Sequence, residues 1–244
     1  MRLLTLACCL VACAAPGPTP APSPDLADPA HGPVVVVDAA APPDQAMPFA
    51  PILFVHGIKG SAADFDAMIA RFVAAGWPAE LLFARTFADP AWGCNVDNAS
   101  AIAGWVAEIR ATTGATAIDL VAHSMGTLST RYYMKHLDGA AAVRAYVTLG
   151  GMHHGLQSAC SPDFPFKPCV WNELCAEGAF IADLNAAPAT PGPARWVSIY
   201  GTGDTTVPND SSLLTGADNV AVAGATHVGL VAEQPGYDAL RSRL

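Results

Sequence analysis

The residues best suited to chemistry lie in Ala122-His123-Ser124-Met125-Gly126. An apolar run precedes this segment and a helix-like run follows it. A sharp strand-to-helix turn lifts a serine hydroxyl above a sheet, and small residues two before and two after keep that turn free of clashes. Glycine is commoner at the first small position, where this chain has Ala122. A serine hydroxyl is a weak nucleophile until a base takes its proton, and histidine is the usual base. Histidines stand at 31, 56, 123, 136, 153, 154 and 227. His31 falls in a proline-rich stretch and His136 on the helix after Ser124. His123 is next to Ser124, a position expected to direct it away from the hydroxyl. His227 follows the last strand-like run and is the expected base. An acid that orients the imidazole should fall between the two, after a strand. Asp204, ending Tyr200-Gly201-Thr202-Gly203-Asp204, is favoured because glycine-rich turns allow tight positioning. Asp210 and Asp218 are rivals that could equally be turn residues. Developing negative charge on an acyl oxygen needs two backbone N–H donors. Met125, next after the serine, and Ile58, in Phe54-Val55-His56-Gly57-Ile58, are the expected pair.

These groups need a frame. Ile52–Val55 reads as a buried strand. Ser61 with Asp64 resembles a capping box opening a helix with Phe65, Met68, Ile69, Phe72 and Val73 on one face, stopped at Gly76. Strands are expected near Leu81–Phe83, Ala117–Ala122, Val143–Leu149, Trp196–Tyr200 and Val220–Val222, and a first one at Val34–Val37. Helices are expected through Ile102, Trp105, Val106 and Ile109, through Leu128–His136, and over Tyr237–Arg243. Alternating strands and helices imply an α/β fold, a mostly parallel sheet with helices on both faces. Reactive groups in such folds collect beyond the carboxyl ends of the strands.

Composition narrows the function classes. The chain has 244 residues, 52% of them hydrophobic, which suits one well-packed domain and excludes a disordered chain. A net charge of −9 argues against nucleic acid, whose binders carry basic patches. Lysine occurs only at 59, 135 and 167, so there is no polybasic membrane-binding segment.

The first residues read as an export segment. Met1-Arg2 precedes an apolar run, LLTLACCLVA, that is too short to span a bilayer. Leu10-Val11-Ala12-Cys13 resembles a bacterial lipobox, in which Cys13 would be lipidated and begin the mature chain. An ordinary signal cleaved near Ala15 is the alternative. The expected organisation is a signal over 1–12, a proline-rich tether over 13–33 and a folded domain over 34–244. Membrane attachment through Cys13 would make an envelope lipoprotein; the alternative product is secreted. Export leaves Cys94, Cys160, Cys169 and Cys175 to pair in an oxidising compartment. Their spacing does not match Cys-x-x-Cys zinc patterns. Three pairings are open, and the preferred one joins Cys160 to Cys169 and Cys94 to Cys175.

Taken together, VHGI near the front, AHSMGTLSTRYYMKHL in the middle, and TVPNDSSLLTGADNV with the later His227 resemble the small bacterial class 2 lipases of the α/β-hydrolase fold. The resemblance runs from about Pro51 to Leu230. It implies carboxylic ester hydrolysis on triacylglycerols or simpler lipid-like esters, with no metal or organic cofactor, in a chain expected to be monomeric. By position it assigns Ser124 as nucleophile, Asp204 as acid, His227 as base, and Ile58 and Met125 as oxyanion donors. Cleavage of a thioester, amide or polyester by the same fold, and a non-catalytic lipid- or protein-binding lipoprotein, are the competing expectations. Two departures stand out. Lys59 replaces a residue that tends to be glycine in small members, and Gly151-Met152-His153-His154-Gly155 replaces a loop often reading Gly-Gly-Pro-Asn-His-Gly. Residues 156–178 look like an insertion, either a small cap or a side loop.

Overall fold

The computed structural model describes residues 49–161 and 168–244. The expected strand at Val34–Val37, the tether, the signal and Cys13 lie outside the described residues. Six strands form one sheet: β1 (Ile52–Val55), β2 (Leu82–Arg85), β3 (Ile118–His123), β4 (Val143–Leu149), β5 (Arg195–Gly201) and β6 (Asp218–Val222). Their order is β2-β1-β3-β4-β5-β6, and every neighbouring pair is parallel. The central strands read as continuous apolar runs because both of their faces are covered.

Alternation along β1 divides the core. Ile52 and Phe54 face a cluster with Phe65, Met68 and Phe72 of the first helical segment and with Tyr237 and Leu240. Leu53 and Val55 face Ile102, Val106, Ile109, Tyr133 and Met134. The first face is covered by α1 (Asp66–Ala74) and, near the C-terminus, by a helix over Gln234–Arg241. The second is covered by α2 (Asn95–Thr113) and α3 (Gly126–His136). This is the α/β-hydrolase architecture. The capping box at Ser61 and Asp64 forms, but its first turn is a 3-10 turn before α1 begins.

The insertion carries one short helix, α4 (Cys169–Leu174), and a second, α5 (Ala179–Asn185), follows it directly. Val170, Leu174, Ile181 and Leu184 bury themselves against Met125, Leu128, Met152 and Val207, making a third apolar cluster. The segment therefore wedges against the flank of α3. Arg131, fully buried on α3, holds it there: its guanidinium donates to the Leu184 carbonyl (2.6 Å), Asn185 Oδ1 (2.9 Å) and the His153 carbonyl (3.3 Å). Burial pushes that guanidinium down to about 10.

The preferred disulfide pairing is corrected. Cys94 bonds Cys169, and Cys160 bonds Cys175. Cys169 and Cys175 sit at opposite ends of α4 and so meet different partners. The N-terminal end abuts Cys94, which caps α2, while the C-terminal end lies beside Leu156, whose N–H donates to the Leu174 carbonyl (2.8 Å). Glu173 seals the first junction by accepting from the Asn95 N–H (2.6 Å) and Asn95 Nδ2 (2.9 Å).

The two bridges close loops of different length, with separations of 75 and 15 residues. Chain entropy assigns them about 4.5 and about 3 kcal/mol respectively. Thermal and urea unfolding of Cys94→Ser/Cys169→Ser should therefore show the larger loss, and Cys160→Ser/Cys175→Ser the smaller. The reverse order would contradict this account.

Candidate active site

Ser124 stands at the end of β3 with φ +55°, in the left-handed region that a side chain enters only under strain. The strain is held by main-chain bonds. Its N–H donates to the Leu149 carbonyl of β4 (3.0 Å). Its carbonyl accepts from the Thr127 N–H (3.1 Å) and Thr127 Oγ1 (2.7 Å). Glycines let two turns meet here. A Cβ on Gly126 would collide with the His56 carbonyl at the end of β1, and one on Gly57 would fall 2.7 Å from Ser124 Cβ. Ala122 needs no such allowance, since its methyl is buried in the β3 face that packs on α2 and α3.

The loop after β1 is set by His56. Its Nε2 accepts from the Phe87 N–H (3.1 Å), so its Nδ1 carries the proton and donates to the Gly57 carbonyl (2.7 Å). Burial depresses its basicity and keeps the ring neutral. The N–H groups of Ile58 and Met125 donate to no protein acceptor among the described residues. These are the two amides expected from the sequence.

Asp204 and His227 meet as expected. Asp204 Oδ2 lies 2.7 Å from His227 Nδ1, and the carboxylate side chain is 1% exposed. Its other oxygen accepts from the N–H groups of Thr206 (2.8 Å) and Val207 (2.9 Å). The glycine-rich turn has a plain role: a Cβ on Gly201 would strike the Ala225 carbonyl, so glycine lets the ends of β5 and β6 converge. The rival carboxylates are engaged elsewhere. Asp210 Oδ1 accepts from the Ser211 N–H (2.9 Å), and Asp218 pairs with Arg195 and Arg243.

Ser124 and His227 line one cleft of about 460 Å³ with Gly57, Ile58, Lys59, Met152, Thr206, Val228, Val231 and Ala232. No hydrogen bond joins Ser124 to the imidazole of His227, whose Nδ1 is held by Asp204. Such bonds are often long until substrate arrives. Among the described residues of 156–178, none lines the cleft. Lys59 does line it, at φ +58°, with its ammonium 5.9 Å from the centre of the Trp92 ring. Of the apolar residues near the motifs, Ile58 and Met152 line the cleft as well as joining the third core cluster, whereas Met125 and Leu230 belong to core clusters only.

One residue outside the expected set lies at the site. His123 also lines the cleft, its ring 4.6 Å from that of His227 and its Nε2 3.1 Å from the His227 carbonyl. Strand alternation does turn its side chain away from that of Ala122. The sequence could not show that the loop after β6 folds back over it. His153 is fully buried behind the site, between Thr148 Oγ1 (3.1 Å) and Ser198 Oγ (3.3 Å). The closely grouped atoms of Cys94, Cys169 and Glu173 would suit a metal only with free thiols, and both sulfurs are in a disulfide.

The class 2 lipase family model matches residues 49–233. The chain belongs to the class 2 lipase family. As a member it is an ester hydrolase, and its fold recurs in solved structures. The mature form of Bacillus licheniformis lipase BlEst2 is 18% identical with a TM-score of 0.68, over 80% of this chain and 91% of that one. The product of Listeria innocua gene lin2722 is 18% identical with a TM-score of 0.61, over 80% and 93%. Aspergillus fumigatus lipase B is 16% identical with a TM-score of 0.62, over 75% of this chain and 49% of that one. At these identities the likeness speaks for the fold.

Burial makes this lipase-family chain acid-sensitive. His56, His123 and His153 are all held below 6.5, foremost by desolvation. Between the lowered folded value and 6.5 the unfolded chain binds more protons, so stability falls as pH drops below about 6.5. Each histidine contributes a slope of up to about 1.4 kcal/mol per pH unit. Urea unfolding between pH 7.5 and 5.5 should show this decline; a flat or rising profile would contradict it.

Proposed function

We propose that this protein is a serine carboxylesterase or lipase that cleaves lipid-like carboxylic esters through an acyl-enzyme on Ser124. The observation that carries the reading is the short Asp204–His227 contact opening onto the same cleft as a serine in a strained turn. Asp204 holds the proton on Nδ1, which leaves Nε2 of His227 free to accept one. Ser124 Oγ attacks the ester carbonyl carbon as His227 takes its proton. The N–H groups of Ile58 and Met125 receive the negative charge that forms on the carbonyl oxygen. The carbon–oxygen bond to the alcohol breaks, and the alcohol leaves with the proton held by His227. Water then attacks the acyl-enzyme with His227 again as base, releasing the acid and restoring Ser124. Ile58, Met152, Val228 and Val231 offer an apolar lining for the acyl part.

Rates on p-nitrophenyl esters of graded chain length test this. Ser124→Ala and His227→Ala should each lower kcat by at least about 10⁴-fold, and Asp204→Asn by about 10³- to 10⁴-fold. Wild-type turnover by Ser124→Ala would overturn the reading.

We further propose export, with Cys13 lipidated at the mature N-terminus. Two disulfides in a chain of this size suit an oxidising compartment. Mass spectrometry of the mature protein should find a lipid-modified Cys13 as first residue. An unmodified N-terminus near Ala15 would contradict lipidation.

A further inference from the structure

We infer that His123 is a positioning residue that braces His227 against the turn carrying Ser124. The inference rests on the role proposed above for His227 as base. His123 is the last residue of β3 and the covalent neighbour of Ser124, so wherever the nucleophile's turn sits, this imidazole sits with it. Its Nε2 lies 3.1 Å from the His227 carbonyl. A carbonyl can only accept, so Nε2 of His123 carries the proton and donates. Its ring also lies 4.6 Å from the His227 ring, tilted by 41°.

His227 thus has two anchors of different origin. Asp204, from the loop after β5, fixes one ring nitrogen. That contact alone leaves the ring free to swing about the line to the carboxylate and carry Nε2 away from Ser124. His123, from the elbow, fixes the main chain of His227 and packs against its ring. It therefore refers the base to the nucleophile directly, and not only through the sheet. Reacting groups displaced by about 1 Å lose on the order of 100-fold in rate, so this is where a brace would act.

The charge state of His123 suits the task. Its ring is buried, and desolvation followed by the nearby His227 pushes its pKa down to about 3. It remains a neutral donor over the working range. A cation in that place would oppose the imidazolium that His227 forms during the reaction.

A ring that merely fills space and a ring that positions make opposite demands on substitutions. His123→Phe keeps the aromatic volume and loses the donor. His123→Gln keeps an N–H donor at similar reach and loses the ring. Positioning predicts that His123→Phe lowers kcat on p-nitrophenyl butyrate by about 10- to 100-fold with KM changed less than about threefold, while His123→Gln stays within about fivefold of wild type. Thermal midpoints recorded alongside separate lost stability from lost turnover. Wild-type kcat in His123→Phe, or a fall in His123→Gln as deep as in His123→Phe, would overturn the inference. Should the Phe variant fail to fold, His123→Ala replaces it: a kcat equal to wild type overturns the brace, and a loss rescued by Gln supports it. Ser124→Ala and His227→Ala run beside these variants. Full activity in either would remove the base assignment itself, whereas their inactivity together with an indifferent His123 would remove the brace alone.

Discussion

The approach of two backbone turns at the carboxyl ends of β1 and β3 is the constraint on which the site depends. Gly57 lets the loop after β1 lie against Ser124, and Gly126 lets the start of α3 lie against the His56 carbonyl. With a Cβ at either glycine the two turns could not come this close. The parallel sheet makes the meeting possible, because β1 and β3 are neighbours pointing the same way. It also brings β5 and β6 alongside, so that the loops carrying Asp204 and His227 emerge on the same edge. The strain of the left-handed Ser124 is carried by the bonds from its own main chain to Leu149 and Thr127.

Much of this was legible because it is local or because it obeys chain order. The apolar runs of β1, β3 and β4 announce buried strands, and the strand–turn–helix context of Ser124 announces the elbow. Tight glycine turns singled out Asp204 over Asp210 and Asp218, and the structure engages the rivals elsewhere: Asp210 accepts from the neighbouring Ser211 N–H, and Asp218 pairs with arginines. What stayed hidden depends on contacts between distant segments. The contact of His123 with the His227 carbonyl spans 104 residues, and no local pattern encodes it. The cysteine pairing failed for the same reason. The order of the cysteines left three pairings open, whereas α4 separates Cys169 from Cys175 and presents each to a different partner.

The stretch that carries α4 and α5 is tied into the fold by several kinds of contact. Its residues add a third cluster to the two that flank the sheet. Covalent bridges, the buried Arg131 and the Glu173 contact with the start of α2 tie that cluster down. Arg131 faces carbonyl and amide oxygens in place of a carboxylate, so its charge is spread over several dipoles of the loops it joins. The cleft remains bounded by the loops after β1 and β6, with Lys59 beside Trp92 as a charged point in a mostly apolar lining.

The central claim is that one hydroxyl in this molecule is activated for attack on an acyl or acyl-like centre. Incubation of the folded protein with an alkyl p-nitrophenyl phosphonate, followed by intact-mass and peptide-mapping mass spectrometry, tests it most directly. The account predicts a single adduct per chain, on Ser124, that fails to form when His227 is replaced by alanine. Folded protein that takes up no adduct, or an adduct on another residue with Ser124 unmodified, would contradict it.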